Sequence, residues 1–230
     1  MLTVAYHSDK SLQSFAADLN NQTCQPDMWL IVNNSPVSQG PIELNTSCDL
    51  LIINGLEGEG FANGCNRGLE FLDSQEWRGW IWIINPDIWF PDIDVIKKLI
   101  SYLKSSPQNV LLGTSIIDQN HALEPSAGWI SSWSNFRSNR VNSDLSLGDS
   151  VQVDWVSGCS LLLKPSELNF KPKFEEQIPL YYEDIDFCIR LASEGIHIIF
   201  FSFGRFARKS SFQVCVAVLE LQKFANDFCR

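Results

Sequence analysis

Carboxylates placed where an apolar segment stops are the residues of this chain best suited to chemistry. The run Gly79-Trp80-Ile81-Trp82-Ile83-Ile84 ends abruptly at Asn85-Pro86-Asp87. A continuous apolar run closed by a turn signal reads as a central strand covered on both faces. Pro86 has no N–H for a sheet ladder, so the strand is expected to end there. Asp87 then stands just past the carboxyl end of a central strand, where open α/β sheets bind ligands. A lone carboxylate in that place is a candidate metal ligand for a diphosphate substrate.

A second acidic group is Tyr181-Tyr182-Glu183-Asp184-Ile185-Asp186, continuing into Phe187-Cys188-Ile189-Arg190. Three carboxylates in four residues open a helical segment, and the helix dipole favours them there. That alone would make them a charge complement. The aromatic and apolar flanks point instead to a cleft. Glu183 and Asp184 are adjacent and cannot share a helix face, so one can enter the cleft while the other braces the loop. Asp186 and Arg190 are spaced i, i+4 and are expected to pair structurally. A carboxylate beside an acceptor hydroxyl can act as a general base.

Two further segments carry small residues. Gly55-Leu56-Glu57-Gly58-Glu59-Gly60-Phe61-Ala62-Asn63-Gly64 comes after a strand and opens a helix. It has the outline of a dinucleotide fingerprint, but it comes after the third strand and has Asn63 where the last small residue belongs. It reads equally as a turn, or as a loop that lets a nucleotide approach the backbone. In Asp154-Trp155-Val156-Ser157-Gly158-Cys159, Gly158 either marks a bulge or admits a close neighbour. Trp129 and Trp133 stand at helical spacing, either in a local apolar cluster or against the apolar face of a sugar.

These groups need a scaffold, and the periodicity supplies one. Strands are expected at Leu2–Tyr6, Trp29–Val32, Leu50–Ile53, Trp80–Ile84 and Val110–Thr114. Helices are expected over Lys10–Leu19, over Ala62–Leu72, and from an Asp92 cap to about Lys104. Alternating strands and helices imply an α/β fold with a mainly parallel central sheet, right-handed crossovers and flanking helices. The rhythm breaks after Ser115, and residues 118–150 read as one long irregular segment. Order returns at Val153–Leu163, in a helix over Asp184–Ser193, and in a strand over His197–Phe201. A last amphipathic helix is expected over 211–226, packed on the core.

Composition narrows the function. The 230 residues suffice for one sizeable core. A net charge of -10 without a dense Lys/Arg cluster argues against nucleic-acid binding. No apolar run reaches the roughly 18–20 residues that span a bilayer. Met1 leads at once into a strand-like segment, so no signal peptide is expected. The seven cysteines form no CxxC pair and read as reduced thiols in a cytoplasmic protein.

Taken in order, the motifs resemble those of the family-2 glycosyltransferases with the GT-A fold, rhamnosyltransferase-like branch. Val4-Ala5-Tyr6-His7-Ser8 and Val32-Asn33-Asn34-Ser35 fit its first two motifs. Gly60-Phe61-Ala62-Asn63-Gly64-Cys65-Asn66-Arg67-Gly68 matches closely, and Asn85-Pro86-Asp87 matches the branch's metal motif. Asp154-Trp155-Val156-Ser157-Gly158 and Tyr182-Glu183-Asp184-Ile185-Asp186 match the later ones. The resemblance covers about residues 2–200. It implies a single domain, with a nucleotide-sugar half over about 1–115, an acceptor and catalytic half over about 116–210, and a C-terminal helix over 211–230.

The resemblance also implies roles. Asp87 holds Mg²⁺ or Mn²⁺, and Asp184, or as second choice Glu183, is the catalytic base of an inverting transfer. Tyr6, Asn33, Gly60, Phe61, Asn66, Asn85 and Gly158 line the nucleotide sugar, expected to be a UDP- or dTDP-sugar. The acceptor is expected to be a glycan or a lipid-linked hydroxyl, reached by peripheral contact with the inner membrane face. Three departures accompany it. Asn33 replaces an aspartate that contacts the base, Gly58 replaces an asparagine, and Gly204-Arg205-Phe206-Ala207-Arg208-Lys209 lacks the family's histidine. They motivate an alternative, a degenerate module that binds nucleotide sugar or glycan without turnover. A nicotinamide-dependent oxidoreductase is the third reading, carried only by the glycine loop.

Overall fold

The computed structural model describes residues 1–117, 123–131, 139–141, 145, 146, 148–178 and 181–208, with backbone alone at 139 and 203–208. The expected helix over 211–226 and Trp133 lie outside the described residues.

Four strands make the first half of a nine-stranded sheet: β1 (Leu2–Ala5), β2 (Met28–Asn33), β3 (Asp49–Asn54) and β4 (Ile81–Ile84). They run parallel in the order β3-β2-β1-β4. β4 is buried at every residue, as its apolar run requires. Helix α1 (Asp9–Asn20) buries Leu12, Phe15, Ala16 and Leu19 at helical spacing against Trp29 and Ile31 on one face. Helix α2 (Gly60–Ser74) covers the other face. It lies unusually close to β1. A Cβ on Gly64 would stand 2.5 Å from Val4 Cγ1, and one on Gly68 would stand 2.3 Å from Leu2 Cδ1. Glycines at i and i+4 thus let α2 rest directly on the strand.

The second half departs from the parallel pattern. β6 (Leu111–Ile117) and β12 (Ile198–Arg208) are parallel to each other, but β11 (Ser160–Leu163) runs antiparallel between β4 and β6. β5 (Ile88–Trp89) and β9 (Ser150–Val153) both pair antiparallel with β12. β12 extends seven residues past the expected Phe201, with a register irregularity between Phe201 and Phe206. Helix α3 (Val95–Ser105) packs on the α1 face, and α4 (Glu183–Ser193) on the α2 face. The cap of α3 is Asp94, not Asp92. Asp92 instead accepts the Asp94 N–H and pairs with Lys98, which holds its carboxyl below the usual range.

The segment expected to be irregular contains structure. β7 (Ala127–Trp129) and β8 (Asn139–Arg140) form a three-stranded sheet with β10 (Trp155–Val156). The expected order over Val153–Leu163 is therefore divided between two sheets. Trp155 is fully buried, whereas Trp129 is partly exposed and donates its Nε1–H to the Gln152 carbonyl at 3.1 Å. No described helix is long and apolar enough to cross a membrane.

Candidate active site

The parallel strands deliver their carboxyl ends to one edge of the sheet. Register places Ala5 opposite Asn33 and Asn33 opposite Asn54, so Tyr6, Asn33 and Gly55 mark neighbouring exits. Tyr6 is half-exposed, its ring edge-on to His7 at 4.3 Å between centroids. Asn33 Oδ1 accepts the Ser35 N–H at 3.0 Å, which fixes the turn after β2.

The glycine loop is organised by Asn34, a residue to which the motifs assign no role. Asn34 is buried, donates Nδ2–H to the Gly60 carbonyl at 3.0 Å, and accepts the Gly58 N–H on its own carbonyl at 3.1 Å. A Cβ on Gly55 would stand 1.8 Å from Asn34 Oδ1, so that glycine is sterically required. Gly60 opens α2 with φ 87°, a left-handed conformation that costs glycine little. Glu59 closes the loop, accepting the Leu56 N–H and holding Arg67 at 2.9 Å and 3.0 Å through its two carboxylate oxygens.

Asn85, Pro86 and Asp87 form a tight turn in which the Ile88 N–H reaches the Asn85 carbonyl. Asn85 also joins the second half of the sheet. Its backbone N–H donates to the Cys159 carbonyl at 3.1 Å, and its Nδ2–H to Cys159 Sγ at 3.3 Å. Asp87 is half-buried. Among the described residues no three His, Cys, Asp or Glu side chains gather into a metal cage. A lone carboxylate nevertheless suits Mg²⁺ or Mn²⁺ bound mainly through substrate phosphates and water.

The second acidic group arrives from α4. Tyr181 and Tyr182 both have positive φ, 63° and 70°, and turn the chain sharply into the helix. Two consecutive non-glycine residues in that region store strain of about 1–3 kcal/mol each. Glu183 and Asp184 are both buried. Asp184 Oδ2 accepts the Gly158 N–H at 3.1 Å, and Oδ1 accepts the Ile185 N–H at 2.9 Å. Phe61 seals the other side of Gly158, where a Cβ would stand 3.0 Å from its Cε1. Burial first, and the nearby Glu183 carboxylate second, push the Cys65 thiol well up. Burial likewise raises Cys188, although the Val156 N–H donates to its Sγ, with Asp184 adding to the rise. Both thiols stay protonated and inert.

Solved structures share this fold. TarS from S. aureus superposes with a TM-score of 0.60 at 14% identity, over 96% of this chain and 38% of that one. The mannosyltransferase PcManGT from Pyrobaculum calidifontis, solved with GDP-Man and Mn2+, gives 0.62 at 12% identity, over 100% of this chain and 63% of that one. TarS 1-349 in complex with UDP gives 0.58 at 12% identity, over 90% and 59%. This is the GT-A fold. The chain spans 38% to 63% of the length of these GT-A neighbours. No family model and no curated protein matches the sequence.

Within this GT-A fold, Gly158, Asp184 and Phe61 meet directly, and Asn85 joins them through Cys159. Tyr6, Asn33 and Gly60 stand along the same edge. Asn66 does not face that edge. It is buried in α2, donating to the Phe174 carbonyl and Glu176 Oε1 and accepting the Phe174 N–H, and so ties the 174–176 segment to the helix. Asp186 and Arg190 pair at 2.8 Å, as their spacing requires. Register sets Arg208 opposite Ile88, one residue from Asp87. That brings the backbone of the histidine-less segment to the metal-motif turn.

Proposed function

We propose that the chain is an inverting glycosyltransferase, which takes a sugar from a nucleotide-diphosphate donor and passes it to a hydroxyl of a glycan or lipid-linked acceptor. The observation that carries this reading is the convergence of the Asp87 turn, Gly158 and Asp184 on one sheet edge beside a glycine loop. The shared fold and the order of the sequence motifs, which favour the rhamnosyltransferase-like branch, support it.

Asp87 would hold Mg²⁺ or Mn²⁺ against the diphosphate. The cation, when bound, offsets charge on the leaving diphosphate. Gly158, packed against Phe61 and Asp184, would present its backbone to the donor, and Tyr6, Asn33 and the Gly60 loop would line the nucleoside. Asp184 takes the proton of the acceptor hydroxyl as its oxygen bonds to the anomeric carbon and the bond to the diphosphate breaks. Glu183 is the second candidate for that proton. The resemblance implies a UDP or dTDP donor, and the choice of base falls to Asn33.

Calorimetry with nucleoside diphosphates, with and without Mn²⁺, tests the donor site. Binding of at least one diphosphate is expected to require the metal and to be lost in Asp87→Ala. Metal-independent binding that survives the substitution would remove Asp87 from the mechanism. A binding module without turnover is the second reading, favoured by the burial of both candidate bases. Release of diphosphate from a donor sugar in the presence of acceptors excludes it.

A further inference from the structure

Away from the sheet edge, the 173–176 segment and α4 border an open cavity of about 180 Å³, lined by Lys173, Phe174, Glu175, Glu176 and Arg190. Its walls are held in place. Asn66 ties the Phe174 backbone and Glu176 Oε1 to α2, and the Phe174 ring stacks on Phe187 of α4 at 4.1 Å between centroids. Lys173 pairs with Glu176 at 2.8 Å, which holds the lysine above and the glutamate below their usual ranges, the Asn66 bond adding to the second effect. Arg190 is anchored through Nε by Asp186 at 2.8 Å. Among the described residues its two terminal nitrogens make no hydrogen bond, and Glu175, whose Oε1 accepts the Gln177 N–H, keeps Oε2 open. Arg190 stands six residues beyond Asp184 on α4, about 9 Å along the helix axis.

We propose that this cavity binds one neutral sugar unit of a glycan acceptor, set back from the unit that reacts at Asp184. Its volume lies below the range of about 300–1,000 Å³ for sites that enclose a drug-sized ligand, and suits a single small ring. Two cations face two carboxylates, so the lining balances in charge and draws neither an anion nor a cation. A sugar hydroxyl both donates and accepts. The Glu175 carboxylate takes its O–H, and the planar fork of Arg190 donates N–H groups to neighbouring hydroxyl oxygens. Because the cavity is offset along α4 from the candidate base, an acceptor of several sugar units reaches it and a short one does not. The choice of a glycan rests on the reading of this chain as a glycosyltransferase.

Saturation-transfer NMR titrations with neutral tetrasaccharides of glucose, galactose, mannose and N-acetylglucosamine, and with tetragalacturonate as the acidic counterpart, test it on the intact chain, Glu175→Ala and Arg190→Ala. At least one neutral tetrasaccharide should bind, and each substitution should weaken it about tenfold, the worth of one hydrogen bond to a charged group. Both side chains are exposed and a surface pair such as Asp186–Arg190 contributes little, so both variants should fold, which thermal melting checks. Glu175→Gln, which still offers an acceptor, should lose less than Glu175→Ala. Binding of nucleoside diphosphates with Mn²⁺ should be unchanged in all three variants, which separates this cavity from the donor site. Absence of binding by every neutral tetrasaccharide overturns the inference, as does sugar binding that survives both alanine substitutions, or a preference for tetragalacturonate. Sugar binding that both alanine substitutions weaken, in a chain that binds no diphosphate, upholds the cavity while the donor reading falls.

Discussion

The two halves of the sheet build the same site by opposite means. In the first half, β1, β2, β3 and β4 run parallel, and each contributes residues at or just beyond its carboxyl end: Tyr6, Asn33, the glycine loop and Asp87. In the second half, β11 runs the other way. It therefore brings the residues ahead of its amino end, Gly158 and Cys159, to the same edge. α4 adds its amino end, where Asp184 accepts the Gly158 N–H. The reversed strand thus joins the edge of the parallel half to the candidate base. The first half is made of backbone exits and close packing, the second of side-chain contacts across short elements.

The largest effect should come from cutting that junction. Asp184→Asn is expected to lower turnover by about 10² to 10⁴, the usual worth of a general base. It should also destabilise the chain by about 1–3 kcal/mol, because one amide oxygen cannot accept both the Gly158 and the Ile185 N–H. Thermal melting alongside donor turnover separates the two effects. Glu183→Gln should lose far less activity. If Glu183→Gln is the dead variant and Asp184→Asn turns over normally, the base has been assigned to the wrong neighbour.

Added methyl groups sharpen the comparison next. Gly64→Ala places a Cβ 2.5 Å from Val4 Cγ1, on a β-branched residue that cannot swing aside. It should cost about 1–3 kcal/mol of stability, read from denaturant melts. Gly158→Ala meets the edge of the Phe61 ring at 3.0 Å, which needs a shift of only a few tenths of an ångström. Its stability cost should be smaller, while donor affinity falls. Equal stability losses at the two glycines would erase the distinction between a packing half and a contact half.

That distinction also explains which parts are legible in the sequence. β1, β2, β3, β4, α2 and α4 are long enough to show a period, and their ends are marked by Asn, Pro and Gly. Asn85-Pro86-Asp87 and the acidic start of α4 stand out for that reason. β7, β8 and β10 have two or three residues each, too few for alternation to register. Nothing local states that β11 runs antiparallel, since its four apolar residues suit either direction. Asn34 gives no signal because its role lies in three glycines distant in sequence. Asn66 resembles a ligand residue because its motif is contiguous, yet its partners lie 108 and 110 positions away.

The smallest effect belongs to the third carboxylate of the acidic group. Asp186 bonds to Arg190 Nε at 2.8 Å across one turn of α4, and both side chains are partly exposed. Such pairs contribute about 0.3–0.5 kcal/mol and weaken with salt. Asp186→Ala should lower stability by that amount, lose the difference at high ionic strength, and leave turnover unchanged. The carboxylate lies on the side of α4 that holds Arg190, whereas Asp184 turns to Gly158, so helical spacing separates the ion-paired carboxylate from the candidate base. A large loss of turnover in Asp186→Ala, with the fold intact, would place chemistry on the Arg190 side of the helix and undo the division between the two carboxylates.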